Sequence, residues 1–265
     1  MIKSPKVSII TICYNAVNTI EETIKSVVNQ TYQNIEYILV DGNSTDGTLD
    51  IIKKYKNISP QKLNYISEND DGSHHAINKG IILATGEVIG ILCADDWYEL
   101  DAVENVVKQY LISGECIIYG LLNHYKDGVK IITTAHSHEN LKNKMIEFPT
   151  CFFSKNLFEK YGMFNNEFDF CGDYELVLRF YTKGVKFVQL DKVLTNFRIG
   201  GRSLQKKNRI FVDKDVIKLK YKYGVISKKI YRKKILNINL KIFVKKIKKF
   251  FKNSHILFFI LKVLK

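Results

Sequence analysis

Over the first hundred residues, short apolar runs at Val7–Ile12, Ile35–Val40, Leu63–Ser67 and from Val88 onward alternate with stretches of helical spacing. The runs predict buried strands. The spacing of Ile20, Ile24, Val27 and Val28 predicts a helix over Thr19–Asn29, and further helices are predicted over Thr48–Tyr55 and Ser73–Leu83, the last closed by Gly86. A βαβα order of this kind predicts a mostly parallel sheet with right-handed crossovers. Strand ends carrying Tyr14, Asp41 and Asp95 then lie along one edge of the sheet, where ligands of open α/β sheets collect.

The pattern changes after Asp96. A helix is predicted over Leu100–Leu111, then a hairpin of Cys116–Tyr125 with Val129–Thr134 around Lys126-Asp127-Gly128. A Ser154-capped helix stopped at Gly162 and a helix over Gly172–Tyr181 stopped at Gly184 follow, and Val193–Ser203, VLTNFRIGGRS, ends the body. A switch from parallel to antiparallel pairing builds a second wall over the strand ends.

The segment Val88–Tyr98, VIGILCADDWY, turns abruptly from apolar residues to two carboxylates. Paired carboxylates at the end of a central strand are placed to hold a divalent cation against a phosphate. A polar loop whose aspartate caps the next helix is the plainer alternative. The adjacent His74 and His75 diverge on a helix, which favours packing over a metal site, and Trp97 is expected to pack beside the acids.

Composition narrows the class. With 265 residues, 46% of them hydrophobic, the chain can bury a full core. Five scattered cysteines without a CxxC pair predict a reduced, cytoplasmic protein. No apolar signal segment is expected at the start, and no run reaches the roughly 18 apolar residues of a spanning helix. Of the formal net charge of +14, +13 lies between Lys228 and Lys265, so the body is nearly neutral and nucleic acid is not an expected partner.

Three blocks taken together carry a resemblance: SIITICYNAVNTIEETIKSVVNQTYQNIEYILVDGNSTDGT, DDGSHHAINKGIILATGEVIGILCADD, and DYELVLRF with FRIGG. In this order, over residues 5–203, the chain resembles family 2 glycosyltransferases, which are inverting enzymes of the GT-A fold. The resemblance implies an α/β, Rossmann-like catalytic domain binding a nucleotide diphosphate sugar, with a UDP-sugar favoured. It assigns Tyr14, Asp41, Asp71, Gly72, Asn78, Asp96 and Arg202 to the donor, and Asp95 to a Mg or Mn ion, with a plain turn at Asp41-Gly42 and a buried, backbone-bonded amide at Asn78 as the alternatives. The family's first metal-site acid falls on Cys93 here, which leaves Asp96 or water to fill that role. Asp173 matches the catalytic base, Glu175 is a neighbour for the acceptor, and Arg179, Arg198 and Arg202 could approach the diphosphate. A non-catalytic assembly subunit is the alternative that Cys93 motivates. A nucleotidyltransferase would need a Gly-rich phosphate loop where Cys13-Tyr14-Asn15-Ala16 stands, and a dehydrogenase would need GxGxxG after its first strand.

The catalytic domain is placed at residues 1–222 and a basic tail at 223–265. In the tail Leu240, Phe243, Val244, Ile247, Phe250 and Phe251 recur at helical spacing among Lys241, Lys245, Lys246, Lys248, Lys249 and Lys252. Such a helix suits an anionic membrane surface, on the inner face of the cell membrane, and the apolar end Ile256–Leu264 could dip into it. Packing on the body or on a second copy, as a homodimer, is the other use. With the resemblance, the tail implies a lipid-linked surface glycan as acceptor; acceptor contacts are expected from His136–Thr150.

Overall fold

A computed structural model describes residues 4–59, 63–168, 171–200 and 209–250. The chain separates into two compact units, residues 1–205 and 206–265.

The first unit is a mixed α/β structure. The predicted alternation forms as β1 (Val7–Cys13), α1 (Ile20–Val28), β2 (Ile35–Asp41), α2 (Thr48–Ile58), β3 (Leu63–Ser67), α3 (Ser73–Leu83) and β4 (Val88–Cys93). Pairing of β1 with β2 and β4, and of β2 with β3, is parallel throughout. The register sets Cys13 beside Asp41, Asp41 beside Ser67, and Ile12 beside Cys93, so the carboxyl ends of these strands form one continuous edge. Buried Ile9, Leu39 and Leu92 pack in one core with Ile24 and Ile52, each apolar side chain contributing about 1.5–3 kcal/mol by leaving water.

The remainder adds β5 (Trp97–Tyr98), α4 (Ala102–Ser113), β6 (Ile117–Lys126), β7 (Val129–Thr134), β8 (Phe152–Ser154), α5 (Asn156–Tyr161), α6 (Gly172–Thr182) and β9 (Phe187–Arg198). All the strands form one sheet ordered β3-β2-β1-β4-β8-β6-β9-β5, with β7 against β6. Antiparallel pairing is confined to this second half, where β8 lies against β4 and β6, β7 against β6, and β5 against β9. The expected hairpin closes through Asp127 and Gly128, both at positive φ (50° and 79°), as a two-residue turn of matching twist requires.

Three expectations are corrected here. Ser154 caps no helix: it ends β8, where its hydroxyl accepts from the Cys116 N–H and donates to the Cys116 carbonyl. The helix expected from Leu100 begins two residues later, at Ala102, because the chain first runs as a short strand in which Trp97 and Tyr98 pair with Asn196 and Thr195. The segment from Val193 extends back to Phe187 as one long strand parallel to β6; its polar Gln189, Asp191 and Lys192 break the apolar pattern, and the register with β6 shifts opposite Tyr119–Leu122.

The second unit contains α7 (Arg209–Lys222) and α8 (Lys228–Phe250), joined through Gly224 at φ 69°. Tyr221 and Tyr231 stack with centroids 4.5 Å apart. The boundary expected at 222/223 falls inside this unit, between α7 and α8, whereas the compact units divide at 205/206.

Candidate active site

Asp41 rivets three strand ends together. Its carboxylate accepts from the Ser44 N–H (3.1 Å) and hydroxyl (2.5 Å), from the Ser67 hydroxyl (2.6 Å) and from the Cys13 thiol (3.6 Å). It is 0% exposed. These oxygens shape the loop that follows β2, the turn that Asp41-Gly42 forms. What that loop presents is Gly42 against the Tyr14 ring and Asp70, with an added Cβ 3.4–3.5 Å from both. Tyr14 itself is 67% exposed, as a platform for a base needs to be.

The Asn69-Asp70-Asp71-Gly72 turn distributes its two acids oppositely. Asp71 turns to solvent, its side chain 94% exposed, whereas Asp70 turns inward and pairs with Lys79 at 2.7 Å. The aspartate that faces the body is therefore Asp70, not the Asp71 that the resemblance names; two adjacent aspartates give no sequence signal for which one faces inward. Gly72 holds φ 117° to start α3, and the Asp71 N–H donates to His75 Nδ1 at 3.1 Å. Asn78 is spent on backbone: its amide donates to the Phe164 carbonyl and accepts from the Phe164 N–H, both at 3.0 Å. Asn78 fastens α3 to the segment before α6 instead of reaching a donor.

Where β4 ends, Cys93 Sγ and the carboxylate oxygens of Asp95 and Asp96 all lie within 4.8 Å of one another. Cys93 is exposed, Asp95 half-buried and Asp96 1% exposed. Burial raises the pKa of Asp95, partly countered by a backbone N–H and by Arg198. Burial and then the neighbouring Asp95 charge raise that of Asp96 well above the carboxylate range. Surrounding protein, then Asp96, Asp95 and Asp173, push the Cys93 thiol up. Carboxylates crowded in this way fit a divalent cation, because its charge offsets both the burial and the mutual repulsion. Two oxygens and one sulfur can converge on one such ion.

Arg198, at the end of β9, closes one side of this group. Its N–H donates to Asp96 Oδ1 (3.1 Å), its Nε to the Asp95 carbonyl (3.3 Å) and its Nη2 to Glu22 (2.5 Å), while the guanidinium lies 5.1 Å from the Trp97 ring. Thr23 adds a hydrogen bond to the Asp96 carbonyl at 2.7 Å. Trp97 packs beside the acids, as expected. Arg202 lies outside the described residues.

Asp173 sits in the first turn of α6, where the helix dipole favours its charge. Burial raises its pKa, against a 2.7 Å bond from the Tyr174 N–H and the influence of His74. The His74 ring explains how α6 is brought to the site: a Cβ at Gly172 would collide with it, and the ring stacks on Phe164. His74 is thus a packing residue at the meeting point of α3 and α6. The sequence signal for that role was only its helical placement.

Two further expectations fail on burial. Glu175 is 1% exposed and pairs with Arg179 at 3.1 Å, so it does not face an acceptor. Arg179 also donates to the carbonyls of Tyr161, Gly162 and Met163 and has no part in a diphosphate site. In the 136–150 segment, Glu147 is tied to His136, and the Leu141 carbonyl accepts from the Tyr174 hydroxyl at 2.8 Å. This segment is therefore fastened to α6 beside Asp173.

Known proteins share this family and fold. The profile of glycosyl transferase family 2 matches residues 8–183. The UDP-Glc:alpha-D-GlcNAc-diphosphoundecaprenol beta-1,3-glucosyltransferase WfaP of Escherichia coli is 31% identical over 220 residues, covering 80% of this chain and 85% of that protein. Among solved structures, S. aureus TarS 1–349 in complex with UDP-GlcNAc superposes with a TM-score of 0.66 at 18% identity, over 81% of this chain and 66% of that one. A Pyrobaculum calidifontis mannosyltransferase in complex with GDP-Man and Mn2+ gives a TM-score of 0.66 at 23% identity, over 86% and 66%. At these identities the two structures speak to the fold.

Proposed function

Proceeding from a chain that belongs to glycosyl transferase family 2, and is a glycosyltransferase, we propose that it moves one sugar from a nucleotide diphosphate sugar to a hydroxyl of a lipid-linked surface glycan. The reaction is a single displacement with inversion. Asp173 takes the proton of the acceptor hydroxyl as that oxygen attacks the anomeric carbon, and the nucleoside diphosphate leaves from the opposite face. Tyr14 stacks on the base beside Gly42, and Asp70 with Lys79 flanks it. Asp95 and Asp96, with Cys93, would hold a divalent cation, Mg or Mn, whose charge would stabilise the departing diphosphate. Arg198 keeps the acidic loop in place. Arg202, which the resemblance assigns to the donor, keeps that role.

The observation that carries this reading is the cluster of Cys93, Asp95 and Asp96 at the end of β4, whose ligand atoms lie within 4.8 Å of one another. The charge of Asp173 also acts on the Cys93 thiol. A UDP-sugar is the favoured donor and a diphospholipid-linked glycan the favoured acceptor class, by analogy with the substrates named for the Escherichia coli relative. The mannosyltransferase bound to GDP-Man and Mn2+ supports Mn among the cations.

Attachment to the membrane belongs to the second unit. On α8, Ile230, Leu236, Leu240, Phe243 and Val244 are exposed, and Arg232, Lys233, Lys234 and Lys241 are exposed among them, although Ile238 is buried. Among the described residues no helix is long and apolar enough to cross a membrane. Apolar side chains held at the surface among lysines support peripheral binding to an anionic lipid surface, each Lys adding about 1 kcal/mol near it.

Incubation with individual nucleotide sugars and a membrane-lipid extract tests the proposal. One donor should give metal-dependent release of nucleoside diphosphate with the sugar recovered in the lipid fraction. Sugar recovered only as free hydrolysis product with every acceptor would overturn the acceptor assignment.

A further inference from the structure

Cys93 differs from the other cysteines in what surrounds it. Cys13, Cys116, Cys151 and Cys171 are buried, and Cys13 and Cys151 donate to neighbouring oxygens within the core. Cys93 is exposed at the end of β4, with its sulfur in the 4.8 Å group it forms with Asp95 and Asp96. Among the described residues this is the one set of three potential ligand side chains close enough to hold a metal ion.

Three ligand atoms no more than 4.8 Å apart are close enough to reach one ion through small side-chain movements. A set made of carboxylates and water suits Mg2+, whereas sulfur in the set favours softer ions. An acid in place of Cys93 would have left the site hard throughout.

We propose that Cys93 is a ligand of the cation at the end of β4, and that its sulfur makes this site prefer Co2+ and Cd2+ over Mg2+. The thiol proton passes to solvent as the metal–sulfur bond forms. This inference rests on the reading of Cys93, Asp95 and Asp96 as the donor's cation site.

The test uses the full chain under reducing conditions, titrated with Cd2+ and with Co2+ and followed by sulfur-to-metal charge-transfer absorption and by calorimetry. The expected result is a charge-transfer band saturating at one equivalent. Cys93→Ser should abolish the band and weaken Cd2+ binding at least about tenfold, while Mg2+ binding changes by less than about twofold. Cys93→Asp should invert the preference toward Mg2+. Unchanged circular dichroism and Tm in both variants separate these effects from misfolding. Metal binding without the band, no binding at all, or equal loss of Mg2+ and Cd2+ affinity in Cys93→Ser would overturn the proposal. A band in a protein that binds no nucleoside diphosphate would keep Cys93 as a ligand and remove the donor reading instead. Nucleotide binding that is indifferent to Cys93→Ser with every cation would do the reverse.

Discussion

Across 102 residues of chain, the Arg198 N–H donates to Oδ1 of Asp96 at 3.1 Å. The end of β9 is thereby bound to the acids that end β4, and the Arg198 charge acts on Asp95 and Asp96 to favour their ionised forms. Arg198→Ala leaves the N–H in place and removes that charge, so both carboxylate pKa values rise. A cation needs the ionised acids. As pH falls, metal-supported nucleotide binding should consequently fail at higher pH in Arg198→Ala than in the natural protein. Calorimetric Kd values from mildly acidic to mildly alkaline pH read this directly, and superimposable profiles would show that Arg198 acts only by packing on Trp97.

Asp173→Asn should lower transfer by about two to four orders of magnitude while nucleoside diphosphate binding stays the same. Because burial raises the Asp173 pKa, the acid limb of kcat in the natural enzyme should fall above the ordinary carboxylate range. The folding consequence has the opposite sign. A carboxyl whose native pKa is raised adds stability below its unfolded pKa of about 3.9 and loses it as pH rises through the native value. Neutral Asn should therefore raise Tm at neutral pH, with the gain vanishing in acid. Thermal melts across pH check this.

Arg179→Ala tests a structural role against a diphosphate role. It leaves the buried Glu175 carboxylate without its guanidinium and three backbone carbonyls without their donor, which should cost about 3–5 kcal/mol in urea unfolding. Nucleotide affinity of the folded fraction should not move. A large Kd change with intact stability would return Arg179 to the donor site.

Deleting residues 230–265 should release the protein from anionic vesicles while donor hydrolysis continues. Co-sedimentation measures the first and nucleoside diphosphate release the second. A truncated chain that still pellets with vesicles would move the lipid-binding surface to residues 1–229.

The parallel half of the sheet was legible because Val7–Cys13, Ile35–Asp41 and Val88–Cys93 are buried on both faces and read as nearly unbroken apolar runs. The Asp127-Gly128 turn was legible from local chemistry alone. β5 was not, since a two-residue strand has no period, and the first half of β9 alternates with charge. At the site, residue type announced the chemistry of Asp95, Asp96 and Asp173 but not the direction of each side chain. Asp41 and Asn78 carry the right groups for a ligand and spend them on Ser44, Ser67 and Phe164, partners set by packing across 26 and 86 residues as well as by the adjacent loop. Asp70 and Asp71 are indistinguishable until the turn is folded.

The most direct test of the donor site is calorimetric titration with UDP, GDP and dTDP, each with Mn2+, with Mg2+ and with chelator, on the natural protein and on Asp95→Ala. One nucleotide, UDP first among them, should bind only with metal, and Asp95→Ala should abolish that binding while the protein stays folded. Equal binding in chelator, or binding that survives Asp95→Ala, would contradict a cation held at the end of β4.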